Sequence, residues 1–133
     1  MKVLFIMGVI TWYGGLAQPE FQNQPLYCST ITKPLYYNHE TAPWIAMPVS
    51  WFEEKKISCG DLVNIHFPNG AHLHARAWDA GPLEKYYVQD HPLLPIVADV
   101  PWEHWPLETR SSTAYVINTT AWKKMLGKRT LSK

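Results

Sequence analysis

Residues 59–82 constrain this chain more tightly than any other stretch, because they dictate a hairpin together with its register. Cys59-Gly60-Asp61-Leu62-Val63-Asn64-Ile65-His66-Phe67 leads into Pro68-Asn69-Gly70 and then Ala71 through Trp78-Asp79-Ala80-Gly81-Pro82. Side chains alternate between the faces of a strand, so a slip of one residue turns every side chain over. A two-residue Asn-Gly loop would put Val63, Ile65 and Phe67 on one face with His72, His74 and Arg76. A three-residue loop, Pro68-Asn69-Gly70 with Gly70 left-handed, shifts the parity. Val63, Ile65, Phe67, Ala71, Leu73, Ala75 and Ala77 then share an apolar face. Asn64, His66, His72, His74, Arg76 and Trp78 share the other. Burying unpaired polar groups costs several kcal/mol (about 2–7 each), so the pattern selects the second register. Asp79 is then presented where the strand meets the Gly81-Pro82 corner.

Composition narrows the class. The 133 residues suit one domain spanning 1–133, with 47% apolar residues for a single core. Twelve basic and eleven acidic residues leave no electrostatic footprint for nucleic acid. Eleven prolines and seven glycines favour short strands and loops over long helices. Seven Trp, seven Tyr and four Phe exceed what so small a core centres, so some rings face solvent, ready to stack on sugars or on a partner protein. Cys28 and Cys59 allow one disulfide or two buried thiols.

Along the chain, residues 3–13 read as a first strand ending at Gly14-Gly15. Their apolar run also matches a short signal-peptide core, with Gly15-Leu16-Ala17 as its cleavage site. No apolar run is long enough for a membrane-spanning helix. Residues 16–43 and 83–112 read as loop-rich, the former with a short strand at Leu26–Thr30. Residues 44–52 read as an interrupted turn of helix because of Pro48, and Glu53–Lys56 as a solvated connection. Ala114–Ile117 reads as a late strand. Asn118 is the N-cap of a helix over Thr119–Leu126 closed by Gly127, a reading preferred over its match to a glycosylation sequon.

Thr11-Trp12-Tyr13-Gly14, Cys59-Gly60-Asp61-Leu62-Val63, Arg76-Ala77-Trp78-Asp79-Ala80-Gly81-Pro82 and Val116-Ile117-Asn118 before Ala121-Trp122 occur in that order. This series resembles the double-psi β-barrel of the rare-lipoprotein-A-like proteins and of the first domain of expansins. The resemblance implies an all-β, six-stranded double-psi barrel with short helices and long irregular loops, acting on cell-wall polysaccharide. Peptidoglycan lytic transglycosylases occur in that group. By motif position, Asp79 matches its Asp-x-Gly-Pro acid, whereas the acid of the late strand falls on Val116, the Ser that follows it falls on Asn118, and an upstream His falls near Met47.

Two function classes follow. In the first, the barrel binds a cell-wall glycan in a groove beside Asp79 and cleaves it by lytic transglycosylation, with Asp79 as the catalytic acid/base. A transglycosylase works with one such group, but two-carboxylate hydrolysis needs a second, from Glu40, Asp61, Asp99 or Glu103. Trp12, Tyr13, Arg76 and Trp78 are the substrate-binding candidates. In the second, the barrel is a structural or docking module of a phage tail or envelope assembly, with Trp102 and Trp105 either forming a lip that meets a protein partner or folding back onto the barrel. Trp44, Trp51 and Trp122 read as core. Neither class calls for a cofactor. His66, His72 and His74 share a face but read as an outward polar surface rather than a metal site. Either class places the protein outside the cell, in the envelope or on a virion.

Overall fold

The computed structural model describes residues 5–38, 43–81 and 94–131. Six strands close a barrel: β1 (Phe5–Tyr13), β2 (Trp44–Pro48), β3 (Leu62–His66), β4 (His72–Gly81), β5 (Ile96–Pro101) and β6 (Ser111–Asn118). Their order around the barrel is β1-β5-β2-β4-β3-β6. The β1/β5 and β2/β4 pairs are parallel and the other four antiparallel. Helices α1 (Val49–Glu53) and α2 (Thr119–Leu131) and three 3-10 turns at Gly15–Ala17, Pro19–Phe21 and Trp102–His104 complete the described elements.

The β3/β4 hairpin has the register its hydrophobic pattern demands. Val63 pairs with Ala75, Ile65 with Leu73 and His66 with His72. Pro68-Asn69-Gly70 form the loop, Gly70 has φ +90°, and the Phe67 N–H donates to the Ala71 carbonyl at 2.9 Å. Val63, Ile65, Phe67, Ala75 and Ala77 are buried in the barrel core with Ile10, Ile45, Met47, Val97, Val100 and Val116.

Three expectations are corrected. Trp44–Pro48 is not helical: all five residues are buried in strand β2, which runs between β4 and β5. Being covered on both faces, it lacks the alternation that would mark it as a strand, and its Pro48 sits at the strand's end, where a missing N–H is tolerated. Within the stretch read as loop, Ile96–Pro101 is strand β5. Leu26–Thr30 is not a strand, since its neighbourhood holds only an isolated bridge between Pro25 and Tyr36. Residues 82–93, which include Pro82 of the expected corner, lie outside the described residues.

The leader-like run is barrel stave β1, with Val9 and Ile10 fully buried. The Glu53–Lys56 connection is solvated, with Lys56 paired to Glu54 at 3.0 Å. Asn118 caps α2 by accepting the Ala121 N–H at 3.0 Å, while its amide donates to Asp61 at 2.9 Å. Both residues are only 4% exposed, which removes the sequon asparagine from solvent. The helix runs on through Gly127 to Leu131. Trp44 and Trp51 are core, but Trp122 is 41% exposed on α2. Among the described residues, no helix is long and apolar enough to cross a membrane.

Residues 14–38 fold back over the outer face of β1, β5, β2 and β4 and create a second, smaller core of Tyr13, Leu26, Tyr37, Trp44 and Ala46. A disulfide between Cys28 and Cys59, with Cα atoms 5.7 Å apart, ties this flap to the start of the hairpin.

Candidate functional site

The site arises from two bulges. On β4, Ala77 pairs with Ile45 but Asp79 pairs with Ala46, so Trp78 is an extra residue in the ladder. A bulge re-phases the strand beyond it. Ala75 and Ala77 point into the barrel core, and strict alternation would send Asp79 after them. The extra residue turns Asp79 outward with Ala46 and sends Ala80 inward, where it packs on the core. On the other parallel pair, Val9 pairs with Ile96 and Ile10 with Ala98, a second irregularity. It phases β5 so that Asp99 pairs with Thr11 on one side and Ala46 on the other. One row across the outer face therefore reads Thr11, Asp99, Ala46, Asp79. The two acids flank Ala46, which is 4% exposed and packs with Tyr13, Leu26, Tyr37 and Trp44 in the second core.

Tyr13, one pleat along β1, reaches over this row. Its hydroxyl donates to Asp79 Oδ2 at 2.7 Å and accepts the Trp44 Nε1 proton at 3.0 Å. The Tyr27 backbone N–H donates to Asp79 Oδ1 at 2.9 Å, so both carboxylate oxygens are engaged as acceptors. Burial, with the Asp79 charge and hydrogen bond behind it, pushes the Tyr13 phenol far above its ordinary range, so it stays protonated and donating. Asp99 accepts the Thr11 hydroxyl at 2.8 Å. Burial lifts the Asp99 carboxyl to about 6; the Thr11 bond opposes the rise and the nearby Asp79 charge adds to it. The two acids of the row thus differ in kind: Asp79 is held in an acceptor's network, and Asp99 keeps its proton into the mildly acidic range.

A second layer supports the first. Tyr37 donates to Glu103 Oε2 at 2.6 Å and accepts the Gly15 N–H at 2.9 Å. Burial and that carboxylate bond raise the Tyr37 phenol. The same ring explains Gly14: at φ +77°, a Cβ there would fall 2.1 Å from the Tyr37 hydroxyl. His104 stacks edge-on against Trp44, with ring centres 6.1 Å apart; burial lowers its proton affinity, and its Nε2 is buried without a hydrogen-bond partner.

The expected site residues separate. Asp79, Tyr13 and Trp78 are together. Trp12 lies on the opposite face of β1 from Thr11 and Tyr13, where it meets the Arg110 guanidinium at 5.8 Å. Arg76 is exposed and donates to the Gly60 carbonyl at 3.0 Å. Of the proposed second acids, Asp99 shares the face of Asp79. Asp61 is buried against Asn118 and the Ser58 N–H, Glu103 holds Tyr37, and Glu40 lies outside the described residues. The late-strand position matched to Val116 is core, so β5 rather than β6 carries the outward acid.

Trp105 folds back onto Phe67, with ring centres 5.6 Å apart, whereas Trp102 is 42% exposed. His66, His72 and His74 do line one outer face, but no three His, Cys, Asp or Glu side chains among the described residues are grouped to hold a metal ion. Asp99 is one of the four candidate second acids, whereas Thr11, which donates to it, is the site member the sequence reading does not single out. The alternation in Thr11-Trp12-Tyr13 already places Thr11 beside Tyr13, and that was the only signal available. No family model matches this chain, and no curated protein matches it.

Proposed function

We propose that this is a barrel of the double-psi class that binds a cell-wall glycan, peptidoglycan above all, at the margin of the 14–38 flap beside Asp79 and cleaves it there. Two parallel strand pairs inside a closed six-stranded sheet support the class. The observation that carries the chemistry is the row in which Asp79 and Asp99 flank Ala46. Asp99 donates its proton to the glycosidic oxygen as the bond to the anomeric carbon breaks. Asp79 accepts a proton from the attacking hydroxyl. If that hydroxyl is the sugar's own, the product is a 1,6-anhydro sugar, as in lytic transglycosylation; if it is water, the reaction is hydrolysis. The disulfide supports an oxidising, extracytoplasmic location.

The test is digestion of purified peptidoglycan with mass analysis of the released fragments. Wild-type protein releases them, and Asp79→Asn and Asp99→Asn each cut release by about 100-fold or more. No release, or release indifferent to both substitutions, overturns the reading.

A second reading, a non-catalytic docking barrel of an envelope or phage-tail assembly, is favoured by the exposed Trp102 and by Phe5 stacked on exposed Tyr115 over β1 and β6. A stoichiometric partner that is lost on Trp102→Ala supports it.

A further inference from the structure

Charge is distributed unevenly along this chain. Five of its twelve basic residues and none of its eleven acids fall in residues 119–133, leaving seven basic residues against eleven acids in residues 1–118. Most of that basic segment is helix α2. The helix is fastened to the barrel at its first turn, where Asn118 accepts the Ala121 N–H and the Leu62 N–H donates to the Thr120 hydroxyl at 2.8 Å. Beyond that turn, Lys123 and Lys124 are exposed and make no ion pair among the described residues. Trp122 is exposed beside them. Strand β6, which runs directly into α2, carries an apolar outer face together with β1. Met7 pairs with Tyr115 and Phe5 with Ile117, the Phe5 ring stacks on Tyr115 at 5.4 Å, and Phe5, Met7 and Tyr115 are all exposed. Around the ring β1-β5-β2-β4-β3-β6, strand β6 stands three places from β2 in either direction. The β1/β6 face is therefore turned away from Ala46 and the acid row.

We propose that α2 and the β1/β6 face form a docking surface for an anionic phospholipid bilayer, with Trp122, Phe5 and Tyr115 at headgroup depth and Lys123 and Lys124 on lipid phosphates. Aromatic side chains favour the bilayer interface, and each basic residue held near an anionic leaflet raises affinity by about 5-fold. A hydrated polyanion such as a nucleic acid satisfies the lysines but leaves the rings of β1 and β6 in water. Charge also sets the orientation. The leaflet attracts the helix and repels the rest of the chain, where acids outnumber bases, so the molecule sits with α2 toward the lipid and the acid row away from it. The inference does not rest on the glycan-cleavage reading, since nothing in it involves Asp79 or Asp99.

Vesicle flotation with the full-length protein tests this. The probes are vesicles of pure phosphatidylcholine and vesicles of an equimolar mixture of phosphatidylcholine and phosphatidylglycerol. The protein floats with the mixed vesicles and not with the neutral ones, and the bound fraction falls as salt rises. Lys123→Glu combined with Lys124→Glu weakens binding about 10-fold or more. Lys33→Glu, at a lysine that lies over the Trp78 ring on the flap side, changes it by less than about 2-fold. Lipids brominated near the glycerol end of the acyl chain quench tryptophan fluorescence of the bound protein, and Trp122→Phe, at an exposed position that spares the fold, removes most of that quenching. Flotation with neither vesicle, equal flotation with both, equal weakening by Lys33→Glu, or quenching indifferent to Trp122→Phe each overturns the proposal. Retention on duplex DNA in place of vesicles also overturns it and assigns the helix a nucleic-acid partner. Glycan cleavage by a protein that floats with neither vesicle leaves the catalytic reading standing and this one refuted. Charge-dependent flotation without cleavage does the reverse.

Discussion

Asp99 ties stability to pH through one proton. Its folded carboxyl titrates near 6 against an unfolded value near 3.9, so between those values the folded state holds the proton the unfolded state has lost. Stability from this group is therefore greatest below about pH 4 and falls as pH rises through 6, by up to about 3 kcal/mol. Asp99→Asn abolishes that slope and stabilises the protein near neutrality, which urea denaturation between pH 4.5 and 8 measures. On the proposed function, with Asp99 as the acid, glycan cleavage is expected to decline above about pH 6, which a pH profile of fragment release checks. Tyr13 answers a different question. Tyr13→Phe strips the acceptor from the buried Trp44 N–H and a donor from Asp79, and costs about 1–3 kcal/mol in the same denaturation assay. Asp79 is legible in the sequence because its Gly-Pro context marks it. Asp99 is one of several carboxylates along the chain, and nothing local to Val97-Ala98-Asp99 says which face it takes.

At the scale of elements, the flap over residues 14–38 has little regular structure of its own and depends on fastening. The Cys28–Cys59 bridge closes a loop with a sequence separation of 31, worth about 3–4 kcal/mol in chain entropy. Replacing both cysteines by Ala lowers the denaturation midpoint accordingly. It also loosens the Tyr27 N–H from Asp79, which amide hydrogen exchange at Tyr27 and Cys28 reports as lost protection. The parallel β1/β5 contact is tight at Gly8, where a Cβ would come 2.5 Å from a Val97 methyl. Gly8→Ala costs about 1–3 kcal/mol by overpacking, and Val97→Ala in the same chain recovers part of it. The β3/β4 hairpin was readable because one face is apolar and the turn chemistry is unambiguous. Strands β2 and β5 were not, since burial on both faces erases alternation and prolines imitate breaks.

For the whole molecule, closure is the deciding fact. Each strand pairs on both sides, so the barrel has no free edge, and removing one strand exposes two. A chain shortened to begin at Gln18 lacks β1, leaves β5 and β6 unpaired there, and does not reach the native fold by far-UV and near-UV circular dichroism. Local chemistry writes the hairpin register, the inward ribbon of Val63, Ile65, Phe67, Ala75 and Ala77, and the cap at Asn118. These follow from periodicity and turn preferences acting over a few residues. The acid row, by contrast, is assembled by long-range pairing. Asp79 faces outward because a bulge at Trp78, set by pairing with β2, reverses the strand's phase. Asp99 joins it because β5 happens to run beside β2, with Ala46 as their common partner. Pairing of Ala46 with Asp79 and Asp99, and of Thr11 with Asp99 across a separation of 88, is a property of the closed sheet, and no short stretch of chain encodes it alone.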